Sequence, residues 1–414
     1  MKTIKKIILI QIFLLILVAL VSCSLDNEKN AIIQTKEHDF LSLNEINAEK
    51  INESLQLAGQ WLLSNQKKDG SLEYLYYPTT MNYSSSNNMI RQYMATVALA
   101  ELYQYIGSEA YKTAFNHNMR FNFANYYREN GSFGFIVYEN EAKLGAAAIA
   151  LMAILESEHS AYQTHQQRLT EMILFLHNES DGSFATFYFP KERRGDNEYF
   201  YPGEAMLALM KLYLKTENIT YLETAKKSFG YYSMYFEDKM NPAFIPWHTM
   251  ADYYLYLETG NETYANYILE INDWLLNIQN KKCSEPRHLG RFYDPEHKEY
   301  GPPHASSDGV YVEGLSYAYR VAALRNDAAR MDAYKEAMLL GARSLLEMQF
   351  TPQEAAQRPD TAAVLGGLRT STTRDEMRID NAQHAIMALL GILETLSEEE
   401  IEAFVQTHPQ YLCD

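Results

Sequence analysis

The feature that most constrains the fold of this chain is an alternation between two kinds of helix. Six segments are apolar on every side, and they begin near Arg91, Lys143, Glu204, His248, Tyr311 and Ile379. Between them lie segments with one apolar stripe, such as the one from about Tyr264 to Ile278. A helix without a polar face must be buried, whereas a helix with a polar face lies at the surface. The sequence therefore predicts an all-α (α/α)6 toroid of six helical hairpins, in which all inner helices begin at one end, the mouth.

The turns after the outer helices carry a second repeat. Asp69-Gly70, Asn130-Gly131 and Asp181-Gly182 each follow an outer segment and are each followed by a serine. Asp-Gly and Asn-Gly provide the positive φ angles of tight turns. Alternating segments follow at Leu72–Tyr76 and Phe184–Tyr188. This pattern predicts short β-hairpins around the mouth of the toroid.

One of these turns also carries a family resemblance. The segment Gly59–Gly70 reads GQWLLSNQKKDG and resembles the aromatic-Leu-x-x-x-Gln-x-x-x-Gly motif of α/α-toroid proteins such as terpene cyclases. Trp274–Gln279 repeats its first half without the glycine, and Leu72 stands where the motif's final Trp is expected. The resemblance implies a superfamily that includes six-hairpin glycosidases, sugar epimerases, polysaccharide lyases and isoprenoid enzymes. Fold alone does not select among these activities.

Two of the chemistries found on this fold lack their sequence motifs here. No D-x-D-D or D-D-x-x-D motif is present, which argues against terpene chemistry. No Cys/His set has zinc-ligand spacing, which argues against lanthionine cyclase and protein prenyltransferase sites. The sequence therefore predicts no metal and no cofactor.

The N-terminal segment has the form of a bacterial secretory signal. Three lysines precede an apolar run from Ile7 to Val21, which is short for a membrane span. The run ends in Leu20-Val21-Ser22-Cys23, which looks like a lipobox and implies cleavage before Cys23 and lipidation of its thiol. We therefore expect a signal peptide at 1–22, a lipidated tether at 23–44 and the toroid at 45–414. Ser24 after the cysteine favours the outer membrane if the source is Gram-negative, so the expected location is extracytoplasmic and membrane-anchored.

The charge balance limits the partners. The chain has 36 basic and 53 acidic residues, and the predicted signal contains three lysines and no acid. Removing it leaves 36 − 3 = 33 basic residues and a net charge of about −20, which disfavours nucleic acid and anionic head groups. A locally basic mouth is still available from Arg91, Lys143, Arg291, Arg369, Arg374 and Arg378. Whether Cys283 and Cys413 pair cannot be read from the sequence.

Polar residues at the starts of the inner helices are the candidates for chemistry, since these helices all begin at the mouth. The candidate catalytic residues are Glu204, His248, Asp252, Asp308, Glu313, Asp380 and His384. The candidate substrate-binding residues are Arg91, Tyr201, Trp247, His304, Tyr311 and Arg378. Trp and Tyr side chains suit the apolar face of a sugar ring, so the expected substrate is a carbohydrate.

One hypothesis rests on histidines. Asp380 and His384 are spaced i, i+4 and could form a general-base pair. Histidines on the fourth and sixth inner helices, with Arg91 on the first, resemble the layout of the N-acylglucosamine 2-epimerase family, in which two histidines exchange the proton on a sugar carbon. That resemblance implies that His248 and His384 carry the proton, that Arg91 holds the substrate and that Glu313 supports them.

A second hypothesis rests on carboxylates. A glycosidase needs one protonated and one ionised carboxyl group across the scissile bond. Several acidic residues lie near the predicted mouth, but the sequence does not show which two face each other. We expect a glycoside hydrolase first, an epimerase or polysaccharide lyase second, and a non-catalytic glycan-binding scaffold third.

Overall fold

The computed structural model of the protein describes residues 40–157 and 160–413. The predicted signal peptide, Cys23 and most of the predicted tether lie outside the described residues. Thirteen helices longer than two turns occur in the described part of the chain. In chain order they are α1 Ala48–Ser64, α2 Met89–Ile106, α3 Glu109–Tyr126, α4 Leu144–Leu155, α5 Gln163–Leu176, α6 Tyr201–Thr216, α7 Ile219–Asp238, α8 Ile245–Thr259, α9 Glu262–Leu276, α10 Ala305–Leu324, α11 Ala328–Met348, α12 Ile379–Thr395 and α13 Glu398–Thr407.

The even-numbered helices α2 to α12 form the inner ring. Each packs against the next even-numbered helix, and α12 packs against α2, so the ring is closed. The odd-numbered helices α1 to α11 precede them as the outer partners of six hairpins, and α13 follows as an addition that the sequence pattern does not predict. The predicted (α/α)6 toroid is therefore confirmed. None of the helices in the described residues is long and apolar enough to cross a membrane.

Small residues bring the inner helices close together and thereby place the residues of the mouth. All twelve residues of α4 are buried, and six of them are glycine or alanine. A Cβ atom at Gly203 of α6 would lie 2.6 Å from the Cβ of Trp247 on α8. A Cβ atom at Gly309 of α10 would lie 2.7 Å from the backbone of His384 on α12. These contacts are too close for a side chain, so glycine is required for the observed spacing of the ring.

The connections at the mouth form two four-stranded antiparallel sheets. One has the order β2-β1-β8-β7 and the other β3-β4-β5-β6. The strands are β1 Leu75–Tyr77, β2 Asn82–Tyr83, β3 Tyr127–Asn130, β4 Phe133–Tyr138, β5 Glu141–Lys143, β6 Phe187–Phe189, β7 Arg369–Ser371 and β8 Arg374–Arg378. The pairing of Tyr76 with Met377 joins the connections of the first and last hairpins.

Two predicted strands begin three residues too early. The predicted strand at Leu72 begins at Leu75, and the one at Phe184 begins at Phe187. Leu72 and Phe184 instead form isolated bridges that close the preceding turns onto Gln66 and His177. The alternation of apolar and polar residues runs through both the bridge and the strand, so periodicity alone could not separate them.

The turn motif repeats more often in the structure than in the sequence. The Nε2 atom of Gln66 donates to the carbonyl oxygens of Gly70, at 3.2 Å, and of Ala114 on α3, at 2.9 Å. Gln279 makes the same two bonds to Gly290, at 3.0 Å, and to Ala337 on α11, at 2.9 Å. The second copy lacks the glycine at the spacing of the sequence motif, and a longer loop supplies Gly290 in its place. Gln349 makes a third copy with Gly366 and the backbone of α1.

Replacing Gly290 should show what this motif contributes to stability. Its φ is +89°, and a Cβ atom would lie 1.9 Å from the carbonyl oxygen of Leu340. Gly107 has a similar φ of +75° but no atom within 4 Å of the same position. Gly107→Ala should lower the free energy of unfolding by about 1–2 kcal/mol from the left-handed backbone alone. Gly290→Ala should cost about 1–3 kcal/mol more, because α11 must move. Urea unfolding of the two variants measures the difference, and equal losses would contradict the close approach.

Cys283 and Cys413 form a disulfide, which answers the question that the sequence left open. The bond joins the loop between α9 and α10 to the C-terminal end of the chain.

Candidate active site

Asp380 lies at the centre of the mouth, held by two arginines. The Nε atom of Arg91, on α2, donates to Oδ2 at 2.6 Å, and the Nε atom of Arg378 donates to Oδ1 at 2.8 Å. The Nη2 atom of Arg378 also bonds Oδ2. Burial would raise the pKa of Asp380, which is 2 % exposed, but the two guanidinium groups outweigh burial and hold it well below its ordinary value. Asp380 is therefore an ionised anchor for both arginines.

The predicted pairing of Asp380 with His384 is wrong. The Nδ1 atom of His384 lies 3.4 Å from the Oε2 atom of Glu313 on α10 and 3.2 Å from the Nε2 atom of Gln383. The two arginines occupy Asp380, while His384 lies one helical turn deeper and faces α10. The ring centroid of Trp247 lies 6.2 Å from that of His384, in an edge-to-face arrangement. The structure thus places a carboxylate–imidazole pair beside an aromatic platform.

Glu204 is a buried carboxyl group in the first turn of α6. It is 3 % exposed, and its Oε2 atom has no hydrogen-bond partner among the described residues. Burial raises the pKa of Glu204 to about 8, although Arg91 opposes the shift. A Cβ atom at Gly145 of α4 would lie 2.2 Å from Oε2, so glycine there leaves room for the carboxyl group. Glu204 is therefore mainly protonated at neutral pH.

Tyr201 and His304 complete the mouth. Burial raises the pKa of Tyr201, with Glu204 adding to the shift, so its hydroxyl stays protonated. The Nδ1 atom of His304 accepts the backbone N–H of Ser307 at 3.1 Å and lies 2.9 Å from the hydroxyl of Ser306. Burial, followed by Arg378, lowers the pKa of His304 to about 4. Because Nδ1 accepts the backbone bond, the network assigns the proton of the neutral ring to Nε2.

Two predicted catalytic residues lie between the ring layers instead of in the mouth. His248 is 1 % exposed, and its ring stacks on Phe244 at 3.6 Å. Burial lowers the pKa of His248 to about 3. Asp252 is fully buried, and burial raises its pKa well above the ordinary value. Its nearest titratable neighbours are tyrosines of the outer helix α9, such as Tyr267. One residue is about 100° of helix rotation, so Trp247, which is 5 % exposed, turns its ring towards His384, whereas His248 turns towards Phe244.

Asp308 and Tyr311 are also placed away from the mouth. Asp308 is fully buried and accepts bonds from Arg291 Nε at 2.6 Å and from the backbone of Phe292 at 3.0 Å. Burial raises the pKa of Asp308, and Arg291 opposes the shift. The ring of Tyr311 packs edge-on against Phe292 at 5.2 Å. Asp308 and Tyr311 therefore hold the α9–α10 loop on the inner ring, and Arg291 does not add charge to the mouth.

The sequence analysis missed a polar cluster at the opposite end of the ring. Glu101 lies near the end of α2, and burial raises its pKa to about 8. Lys211 of α6 is close to it and lies 3.4 Å from Glu156. A charged residue inside an otherwise apolar inner helix was the available signal. Among the residues that the structure describes, no group of three or more His, Cys, Asp or Glu side chains is placed to hold a metal ion.

Five of the six inner helices thus contribute polar or aromatic groups to one end of the toroid. The groups of the mouth are a protonated carboxyl group, a carboxylate–imidazole pair, two arginines on one carboxylate, a neutral histidine and an aromatic platform. Together they can donate a proton, accept a proton and bind a polar ligand against an aromatic ring.

Several solved structures with the same fold are carbohydrate-processing enzymes. A D-mannose isomerase has a TM-score of 0.62 and 12 % identity, with 86 % of this chain and 100 % of that chain covered. The cellobiose 2-epimerase of Bacillus thermoamylovorans B4167 has a TM-score of 0.61 and 12 % identity, covering 83 % and 98 %. The GH76A alpha-1,6-mannanase of Salegentibacter sp. HEL1_6 has a TM-score of 0.57 and 12 % identity, covering 86 % and 99 %. This chain shares their (α/α)6 toroid.

The similarity is one of fold. At this identity it does not choose among isomerase, epimerase and hydrolase. No protein-family model matches the chain, and no curated protein matches its sequence.

Proposed function

We propose that the protein is a glycoside hydrolase that cleaves an oligo- or polysaccharide at the mouth of the toroid. The observation that carries this proposal is Glu204, a carboxyl group whose burial raises its pKa to about 8 at the start of an inner helix. A general acid has to be protonated at the working pH, and this environment supplies that state near neutrality. Glu204 gives its proton to the glycosidic oxygen as the bond to the anomeric carbon breaks, the oxygen of a water molecule takes that place on the carbon, and a carboxylate accepts the proton of the water.

Glu313 is the second carboxylate of the proposal. It is 5 % exposed and lies 3.4 Å from the Nδ1 atom of His384. The imidazole orients Glu313, and the ring of Trp247 packs edge-to-face against that imidazole at 6.2 Å. Asp380 is unsuited to this role because both its oxygens are bound by arginine.

The carboxylates of the mannanase do not carry over directly. Its variant with two successive aspartates replaced is described as inactive and as a complex with alpha-1,6-mannotriose. This chain has no two successive aspartates. The complex supports an oligosaccharide as the ligand of such a mouth, while Glu204 and Glu313 come from the geometry of this protein.

A second candidate is isomerisation or epimerisation of a sugar, favoured by the pair of His384 and Glu313. An imidazole held by a carboxylate can remove a proton from a carbon next to a carbonyl group. This candidate uses His384 without His248 as a second proton carrier, because His248 is buried against Phe244.

Proton NMR of the domain incubated in D2O with oligosaccharides separates these candidates. New reducing ends without unsaturated products support hydrolysis. Deuterium at a sugar carbon without cleavage supports the second candidate, and unsaturated ends would indicate a lyase. Binding without any reaction would leave a glycan-binding scaffold and overturn the proposed hydrolase.

We also propose that the protein is anchored outside the cytoplasm by a lipid on Cys23. The disulfide between Cys283 and Cys413 supports this location, because such bonds persist in oxidising compartments and are rare in the cytosol. Alkylation of the protein from cells without reductant should leave both cysteines unmodified, and alkylation after reduction should label both. Cys23→Ala should move the protein from the membrane to the soluble fraction. Free thiols in the untreated protein would contradict the location.

A further inference from the structure

The start of α12 carries a local excess of positive charge, although the whole chain is acidic. Arg91 and Arg378 both bind Asp380, so two guanidinium groups share one ionised carboxylate. Glu204 adds no negative charge while it is protonated. Lys143 and Arg193 at the rim are neutralised by two acids, since Glu141 pairs with Lys143 at 2.9 Å and with Arg193, and Asp196 pairs with Arg193 at 2.7 Å. One unit of positive charge is left over at Arg91 and Arg378.

The two arginines are held ready for a ligand by contacts that already exist. Arg91 is fixed through Nε, and its side chain is 33 % exposed in the mouth. Arg378 is 21 % exposed, and its Nη2 atom also lies 3.4 Å from the hydroxyl of Ser306. That hydroxyl lies against Nδ1 of His304, whose Nε2–H is the remaining donor of the ring. Donors fixed in advance lose little conformational entropy on binding.

We propose that Arg91, Arg378 and His304 bind the carboxylate of a uronic acid residue in the substrate, with Asp380 as a positioning residue. Planar guanidinium forks match a carboxylate in the way that Arg378 already binds Asp380 through Nε and Nη2, whereas Arg91 uses only its Nε atom for Asp380. The inference rests on the proposed function in taking the mouth as the sugar site. It adds the class of sugar, an acidic one, which the overall net charge of −17 would by itself disfavour.

Matched pairs of sugars test this without requiring turnover. The probes are the methyl glycosides of glucuronic and galacturonic acid, compared with those of glucose and galactose, titrated by NMR. At least one uronide should bind about 10- to 100-fold more tightly than its neutral partner, since bonds to charged groups have this magnitude. The preference should fall as salt is added. Equal binding of acid and neutral sugars, or no binding of either uronide, overturns the inference. Tighter binding of a sulfated sugar than of both uronides also overturns the carboxylate assignment.

Substitutions test whether these residues cause the preference for uronides over neutral sugars. Arg91→Met should remove most of it, Arg91→Lys should keep part of it, and Lys143→Gln should leave it unchanged because Glu141 already neutralises Lys143. Asp380→Asn should reduce the ratio of uronide to neutral binding, whereas a purely structural role would weaken both sugars together. A preference that survives Arg91→Met in a folded protein would overturn the site. Uronide binding without cleavage of any glycan would leave this site standing and remove the proposed hydrolase.

Discussion

Glu204→Gln should reduce kcat by about 10²- to 10⁴-fold on natural glycans, with little change in KM, because a general acid contributes about this much. The amide has the shape of the protonated carboxyl group but no acidic proton. Since Glu204 is buried and uncharged near neutral pH, the substitution should cost little stability. An aryl glycoside, whose phenolate leaves without protonation, should restore much of the lost rate. No restoration with such a substrate would contradict the role of Glu204 as the acid.

Glu101→Gln is the matched control for this experiment. Glu101 is also a carboxyl group whose pKa burial raises to about 8, on inner helix α2. It lies ten residues after Arg91 in the same helix, or about 15 Å farther along the axis. Glu101→Gln should therefore leave kcat within about threefold of the native value. If the two variants lose the same activity, the loss reflects a general effect of the buried carboxyl groups.

The same assignment predicts the alkaline side of the pH profile. Glu204 acts as an acid only while protonated, and its pKa is raised to about 8. The rate should therefore fall as the pH rises through about 8, and the fall should be absent with the aryl glycoside. If the rate already falls as the pH rises from 4 to 5, the general acid is a carboxyl group with an ordinary pKa and not Glu204.

Asp308→Asn should lower the free energy of unfolding by about 3–5 kcal/mol, because it leaves a buried arginine charge without its counter-ion. Arg291 is 1 % exposed and Asp308 is fully buried, and their Nε–Oδ2 distance is 2.6 Å. Both Nη atoms of Arg291 lack a hydrogen-bond partner among the described residues. Urea unfolding measures the loss. The activity per folded molecule should be unchanged, since Asp308 lies outside the mouth.

The control is an exposed ion pair. Glu223 and Lys226 on α7 are 2.8 Å apart, with side chains 57 % and 37 % exposed. Glu223→Gln should cost less than about 1 kcal/mol, because solvent already screens the pair. If folded Asp308→Asn loses as much kcat as Glu204→Gln, Asp308 takes part in catalysis and its assignment as a structural residue is wrong.

The fold could be predicted because the hydrophobic pattern of each segment indicates whether its helix is buried. An inner segment such as Leu144–Leu155 has no polar face, and only a position inside the ring satisfies it. The turn motif was harder to find, because the glycine that completes the copy at Gln279 arrives eleven residues later, at Gly290. Sequence spacing does not report which distant residue closes a turn.

The site was only partly predictable. Arg91, Glu204 and Asp380, which the sequence places at the starts of three inner helices, lie close together in the structure. The sequence could not separate them from His248 and Asp308, which also lie at the starts of inner helices but contact Phe244 and Arg291 outside the mouth. Side chains of successive helical residues point about 100° apart. Because an inner helix is apolar on every side, its sequence does not show which of these directions faces the mouth.

The sequence by itself therefore determined the number of hairpins, the buried helices and the end of the toroid where polar residues gather. Each of these follows from hydrophobic pattern and turn residues within a short segment. Only the tertiary structure decided that Asp380 binds Arg91 and Arg378, and that Glu313 pairs with His384. Which residues of different helices meet depends on how each helix is rotated and packed in the ring. Burial in that ring also raises the pKa of Glu204.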